Sequence, residues 1–288
     1  MVSIVRRRLL NIILSIAGIV LVVVLAFVGL ISVFQERIAF QPQGPPYPEV
    51  DGSLRVDYSA SDGQHLIGYV VGHPDSVRGL VLAFHGNADL AARQIEWAEE
   101  VAMHTGMAVM LAEYRGYAGL SGKPAYGASQ LDADAAYTYA RDRLHIPPNR
   151  IAFFGHSLGT AVAAELAVRH RPFVLLLQSP FTSARDMAKI LVGRRPSEFT
   201  WNLVSRIHFN TIDVVRKLDI PVSVAHGERD GLIPLDMGRE VFNAARVKGQ
   251  WLMVPGAAHN DVALRGGEPY WRWLAASLSL SPDSVALK

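Results

Sequence analysis

Read for hydrophobic and polar alternation, the chain divides into one long apolar stretch and a series of short ones. From Leu9 to Phe34 no charged residue occurs, and Asn11, Ser15 and Ser32 are among the few polar interruptions. As a helix, 9–34 rises about 39 Å against a bilayer hydrocarbon core of about 30 Å, which predicts a transmembrane helix crossing with some tilt. Residues 35–52 include "QPQGPPYPEVDG", whose prolines and glycines predict a stiff linker. Beyond it, "LIGYVVG" (66–72) and "GLVLAFHG" (79–86) read as an early hairpin. "MAVMLAEY" (107–114), "RIAFFGH" (150–156), "FVLLLQS" (173–179), "PVSVAHG" (221–227) and "QWLMVPG" (250–256) read as short buried strands. Helical patterns such as "AARQIEWAEEVAMHTG" and "SQLDADAAYTYARDRL" lie between them.

Near-continuous apolar strands alternating with helices predict an α/β domain over 53–288, its mostly parallel sheet of about eight strands covered on both faces. One interval breaks the rhythm. Residues 181–210 are longer, mixed and aromatic, and are expected to form a small cap over the carboxyl edge of the sheet.

Charge and composition refine this picture at the N-terminus. Arg6, Arg7 and Arg8 precede the apolar stretch, whereas Glu36 and Arg37 follow it and cancel. The positive-inside bias places residues 1–8 in the cytoplasm and the rest of the chain on the far side. The apolar stretch exceeds the core of a signal peptide and no A-x-A-like site follows it, so an uncleaved single-pass anchor is expected. The net charge of +2 gives no reason to expect a nucleic-acid partner. No cysteine is present, which excludes disulfides, thiolate metal sites and a cysteine nucleophile.

In an open α/β sheet, ligands bind beyond the carboxyl ends of the strands, so chemistry is sought where strands stop. Ser157 sits between Gly155 and Gly159, after a strand and before a helix, the context in which G-x-S-x-G is a nucleophile elbow. Its hydroxyl needs a base, and the base needs an orienting acid. His259 in "PGAAHND" and Asp230 in "HGERDGLIP" each follow a late strand, in the order this topology expects. Glu228 is the rival acid, sitting earlier in the same turn. His156 lies inside the elbow, pointing away from the hydroxyl. His85 is read as holding its loop's shape, and Asp261 as a solvated loop charge. Two backbone N–H groups are expected to hold an oxyanion, those of Leu158 and of Asn87 in "HGNAD".

These motifs together resemble the α/β-hydrolase superfamily, and more closely its membrane-anchored "alpha/beta hydrolase domain-containing" serine hydrolases. The matching pieces are "HGNA" (85–88), "YRGYAGLSGKP" (114–124), "GHSLG" (155–159), "SPFTS" (179–183), "HGERDGLIP" (226–234) and "AAHND" (257–261). The resemblance implies a Ser157–Asp230–His259 triad that hydrolyses acyl esters or thioesters with neither cofactor nor metal. Arg115 is read as tying down its loop, and Trp97, Met103 and Phe153 as core. The same elbow also serves peptidases, amidases and acyltransferases. A catalytically silent tethered binding protein is the alternative from another class, its signature a missing triad member. Met187, Ile190, Leu191, Phe199, Trp201 and Leu203 of the cap interval are expected near the site, which predicts a preference for medium or longer acyl chains. An inward-packed helix is the competing explanation of the same residues.

Overall fold

The computed structural model describes residues 2–44, 53–73, 78–193, 201 and 205–279. Helix α1 (Val2–Ala39) continues five residues past the predicted end of the span. It is long and apolar enough to cross a membrane by length and composition, as an N-terminal anchor or signal sequence would be. Its apolar side chains, Leu9 to Phe34, are almost all exposed, with Val28 a buried exception. Of the predicted linker, 45–52 lie outside the described residues; Phe40, at the start of it, is buried in the domain's core.

Eight strands form one sheet in the order β1-β2-β4-β3-β5-β6-β7-β8. They are β1 (Ser53–Ser59), β2 (His65–Val71), β3 (Leu80–Phe84), β4 (Ala108–Ala112), β5 (Ile151–His156), β6 (Leu175–Gln178), β7 (Pro221–Gly227) and β8 (Val247–Val254). The run from β4 to β8 is parallel, and β2 joins β4 antiparallel. Every residue of β3 and β4 is buried, as a strand covered on both faces requires.

The predicted hairpin of 66–72 with 79–86 does not form. β2 pairs with β1, in register from Ser53 opposite Val71 to Ser59 opposite His65, and β3 inserts between β4 and β5. Both runs are apolar enough to be central, so local pattern could not reveal that β3 starts the parallel block.

On one face α2 (Ile95–Thr105) packs with α8 (Val262–Leu278). On the other, α3 (Tyr126–Asp142) packs with α4 (Leu158–Arg169), α4 with α6 (Thr211–Val215), and α6 with α7 (Leu235–Ala244). Helix α2 buries Ile95, Ala98 and Val101. Met103 lies off that stripe and is 71% exposed, so it is not core, whereas Phe153 is fully buried and Trp97 packs against the core. Within the predicted cap, α5 (Ala184–Val192) turns Met187 onto the core and leaves Ile190 and Leu191 exposed. Trp201 is half-buried, and Phe199 and Leu203 lie outside the described residues.

After β3 the chain first adds β4 on one side and then crosses back to add β5 on the other. The carboxyl ends of β3 and β5 therefore border the point where strand order reverses, where α/β sheets open a crevice.

Candidate active site

Ser157 stands at that reversal point, between the last residue of β5 and the first of α4. Its φ of 54° and ψ of −117° are a conformation L side chains avoid. The strain is held by close packing on both sides. A Cβ on Gly155 would lie 2.2 Å from the carbonyl oxygen of Gly159, and one on Gly159 only 2.1 Å from that of Phe84. Strand, turn and helix thus touch through bare backbone. The Ser157 amide donates to the Gln178 carbonyl at 3.0 Å, and its own carbonyl accepts the Thr160 hydroxyl at 2.6 Å.

The loops after β7 and β8 bring the two other predicted residues to the same point. His259 Nε2 lies 2.9 Å from Ser157 Oγ, and His259 Nδ1 lies 2.7 Å from Asp230 Oδ2. All three residues are buried, and the Asp230 side chain is wholly so. Asp230 Oδ1 accepts the backbone N–H groups of Leu232 and Ile233 at 2.9 and 2.8 Å. Burial works to raise the Asp230 pKa. Hydrogen bonds from His226, His259 and the Ile233 amide, with the charge of His259, outweigh it and hold the carboxyl well below the usual range. Asp230 is therefore an ionised acceptor, and His259 Nδ1 is the donor in their bond. That tautomer leaves Nε2 free to accept the serine proton.

The other candidate residues make different contacts. Glu228 is exposed and accepts the Gly256 amide at 2.8 Å, bracing the loop before His259. His156 has its Nε2 3.2 Å from the His259 carbonyl. Burial and the neighbouring His259 push the His156 pKa down to about 4, so its ring is neutral and Nε2–H donates to that carbonyl. Asp261 does more than face solvent: its Oδ1 accepts the Ala258 amide at 2.6 Å and its Oδ2 pairs with Arg265. Arg115 ties loops together, bonding Asp132 Oδ1 at 2.8 Å through Nε and Asp62 Oδ2 at 2.6 Å through Nη1.

The other side of Ser157 is the "HGNA" turn. A Cβ on Gly86 would come within 3.2 Å of Ser157 Cβ, so no larger residue fits there without displacement. His85 is buried, with Nδ1 2.8 Å from the Gly86 carbonyl and Nε2 2.7 Å from Glu113 Oε1. Glu113 also accepts the Ala91 and Tyr114 amides. Burial lowers the His85 pKa, but the charge and hydrogen bond of Glu113 and the Gly86 carbonyl more than reverse that, and the pKa is raised. Each ring nitrogen of His85 thus faces an oxygen, the Gly86 carbonyl on one side and the Glu113 carboxylate on the other. Asn87 follows directly, and Leu158 is the first residue of α4, where helical amides have no intrahelical partner.

Three residues with parts in this arrangement were not singled out by sequence reasoning. His226 Nε2 lies 2.9 Å from the Ile233 carbonyl and 3.3 Å from Asp230, steadying the acid loop. Gly227 is needed because a Cβ would sit 2.5 Å from the Ala257 carbonyl, where the acid and histidine loops cross. Glu113 anchors His85. His226 and Gly227, at the end of β7, repeat the His-Gly pair that follows β3, a signal present in the sequence; Glu113 carries no local signal. Among the described residues no cluster of His, Cys, Asp or Glu is arranged to hold a metal ion. A cavity of about 720 Å³ lies elsewhere, lined by Arg78, Arg150, Arg171 and Phe173 among others at the amino ends of the central strands, away from Ser157.

Comparison with known proteins agrees with this architecture. Residues 75–211 match the family described as serine aminopeptidase, S33. An uncharacterized protein of Mycobacterium tuberculosis is 32% identical over 263 residues, 88% of this chain and 90% of that one. The alpha/beta hydrolase domain-containing protein WAV2 of Arabidopsis thaliana is 30% identical over 275 residues, 87% of this chain and 89% of its own length. Among solved structures, the Pyrococcus furiosus esterase Pf2001 superposes with a TM-score of 0.64 over 84% of this chain and 99% of its own, at 16% identity. An acetyl xylan esterase from Paenibacillus sp. R4 gives a TM-score of 0.62 over 88% of this chain and 93% of its own, at 17% identity. With its strand order, its elbow and these relatives together, the chain belongs to the α/β-hydrolase superfamily.

Proposed function

We propose that the protein is a membrane-anchored serine hydrolase that cleaves carboxylic ester, thioester or lipid acyl bonds through an acyl-enzyme on Ser157. The hydrogen-bonded line Asp230–His259–Ser157 at the strained elbow carries this reading. Ser157 Oγ attacks the acyl carbonyl as His259 Nε2 takes its proton. Asp230, ionised and fixed by two backbone amides, keeps Nδ1 protonated and stabilises the imidazolium that forms. The N–H groups of Leu158 and Asn87 bind the oxyanion, Leu158 adding the positive end of the α4 dipole. Collapse of the tetrahedral intermediate breaks the bond to the alcohol or thiol, which leaves with the proton held on His259. Water, deprotonated by His259, then releases the acid and restores Ser157.

Helix α1 is the anchor in this reading, and the basic residues Arg6–Arg8 before it support a hydrolase domain outside the cytoplasm. A medium or longer acyl chain is favoured over acetyl, since each buried methylene contributes roughly 0.8 kcal/mol. Values of kcat/KM that fall steadily from two-carbon to eight-carbon esters would contradict that preference.

The description of the matched family, a serine aminopeptidase, favours a second reading in which the bond cleaved is an amide. His259 would then have to protonate the departing amine. Both readings are tested by fluorophosphonate labelling of the detergent-solubilised full chain. Wild type labels and Ser157→Ala does not; equal labelling of the two removes Ser157 from the chemistry. Turnover of p-nitrophenyl and thioester substrates against aminoacyl anilides then separates ester from amide cleavage.

A further inference from the structure

The four residues that leave α1 do not hang free; they touch the loop on which the oxyanion depends. Phe40 is 2% exposed, its amide still bonded to the Glu36 carbonyl at 2.8 Å as the helix ends. Its ring lies 6.5 Å from that of Phe209, which in turn sits 4.8 Å from Tyr126. Next along the chain, the Gln41 backbone N–H donates to Asn87 Oδ1 at 2.7 Å. Two residues later the Gln43 carbonyl accepts the Ala118 amide at 3.1 Å. Upstream, Gln35 Oε1 accepts the Arg206 amide at 2.7 Å. The end of α1 is thus fastened at four successive points, the third of them on Asn87.

Asn87 is held from two directions. The peptide joining it to Gly86 turns its carbonyl to His85 Nδ1. No cis peptide occurs among the described residues, so the Asn87 N–H points the opposite way from that carbonyl. The side chain fixes the other end: Oδ1 accepts the Gln41 amide, the hydroxyl of the buried Tyr117 at 2.9 Å and the amide of its own neighbour Ala88 at 3.0 Å. Of these three donors, Gln41 and Tyr117 come from other segments, and they hold the side chain, and through it the peptide, against the rest of the molecule. His85 belongs to the domain, but Gln41 stands two residues from the end of α1.

We infer that Phe40–Gln43 is a positioning strap for the oxyanion loop, so that turnover depends on how the N-terminal helix is seated against the hydrolase domain. The inference rests on the proposed acyl-enzyme chemistry and adds to it a role for residues outside the sheet. Gln41 and Tyr117 are positioning residues that act through Asn87, and neither touches the reacting atoms. The strap stabilises the transition state through the oxyanion and leaves ground-state binding nearly alone, which separates kcat from KM.

The test uses the full chain in detergent micelles with a short soluble ester, and kcat is expressed per site titrated by fluorophosphonate. Gln41→Pro deletes the N–H that reaches Asn87, while Gln41→Ala keeps it. Removing an oxyanion donor outright costs about 10² to 10³ in kcat, and loosening its peptide costs part of that. Gln41→Pro should lose about 10- to 100-fold in kcat per titrated site with KM within about threefold of wild type. A trifluoromethyl ketone that mimics the tetrahedral adduct should weaken in parallel, and Gln41→Ala should restore most of the rate. Tyr117→Phe, which removes the second donor to Asn87 Oδ1 from outside its own loop, should show the same signature at smaller size and decides the matter if Gln41→Pro fails to fold. Equal kcat per site in wild type, Gln41→Pro and Tyr117→Phe overturns the strap while leaving the hydrolase reading intact. So does an equal loss in Gln41→Ala and Gln41→Pro. A wild type that neither labels nor turns over removes the hydrolase reading, and the strap with it.

Discussion

Replacing Asp230 by asparagine keeps size and shape, and the surrounding hydrogen bonds dictate which way the amide must face. Oδ1 accepts the Leu232 and Ile233 amides, so that position has to stay an oxygen. The NH2 group is therefore forced into the place of Oδ2, 2.7 Å from His259 Nδ1. A donor there makes Nδ1 an acceptor and moves the ring proton to Nε2, which faces Ser157 and can no longer take a proton from it. His226 Nε2–H, shared between Asp230 and the Ile233 carbonyl, now meets a second donor as well. The wrong tautomer in the best-studied serine triad costs on the order of 10⁴ in kcat, about 5.5 kcal/mol of barrier. Asp230→Asn should fall by a similar factor on a p-nitrophenyl ester in micelles, with folding checked by thermal melting. Glu228→Gln should stay within threefold of wild type, because that side chain contacts the Gly256 amide and not His259. Asp230→Asn retaining a tenth of wild-type kcat would refute the orientation argument, and a larger loss in Glu228→Gln would move the acid two residues upstream.

Three further outcomes follow from other parts of the molecule. Glu165 is half-buried beside Tyr126, whose hydroxyl donates to it, and desolvation raises its pKa from 4.5 to about 7 despite that bond and Arg169. The folded state then holds a proton that the unfolded state has lost, so this stability is present below about pH 4.5 and disappears as pH rises through 7. Glu165→Gln should be neutral at pH 4 and about 1 to 2 kcal/mol more stable than wild type at pH 8.5, a figure reduced for partial solvent screening; equal melting temperatures at both pH values would contradict it. Gly159→Ala drives a Cβ to 2.1 Å from the Phe84 carbonyl, between two backbones that cannot yield, and should cost about 3 kcal/mol or more in chemical denaturation. A reporter fused after residue 288 should be active only outside the cytoplasm, and activity confined to the cytoplasm would reverse the topology.

How far the sequence revealed this molecule depended on whether a residue's role was local. β5, the elbow and α4 are contiguous, so their composition alone described them. Asp230 and His259 were legible because each stands at a strand's end beside small residues that let loops cross. β1 was not, because an edge strand with exposed Leu54 and Arg55 lacks the apolar run that marked the others. The hairpin error came from the same source, since strand pairing is decided by partners far apart in the chain. Met103 looked like core by residue type alone, whereas the helix stripe places it in solvent. Glu113 and Gln41 were invisible for a different reason: a buried carboxylate under His85 and a main-chain amide on Asn87 acquire meaning only through contacts across the sequence.

The central claim is that Ser157 carries the acyl group, and mass analysis of the acid-quenched enzyme during turnover tests it most directly. The full chain in micelles, mixed with excess p-nitrophenyl ester and quenched within the first turnovers, should carry one acyl group on the peptide containing Ser157. His259→Ala and Ser157→Ala should carry none. An acyl group mapped to another residue, or unchanged hydrolysis by Ser157→Ala with no adduct in the wild type, would contradict the account.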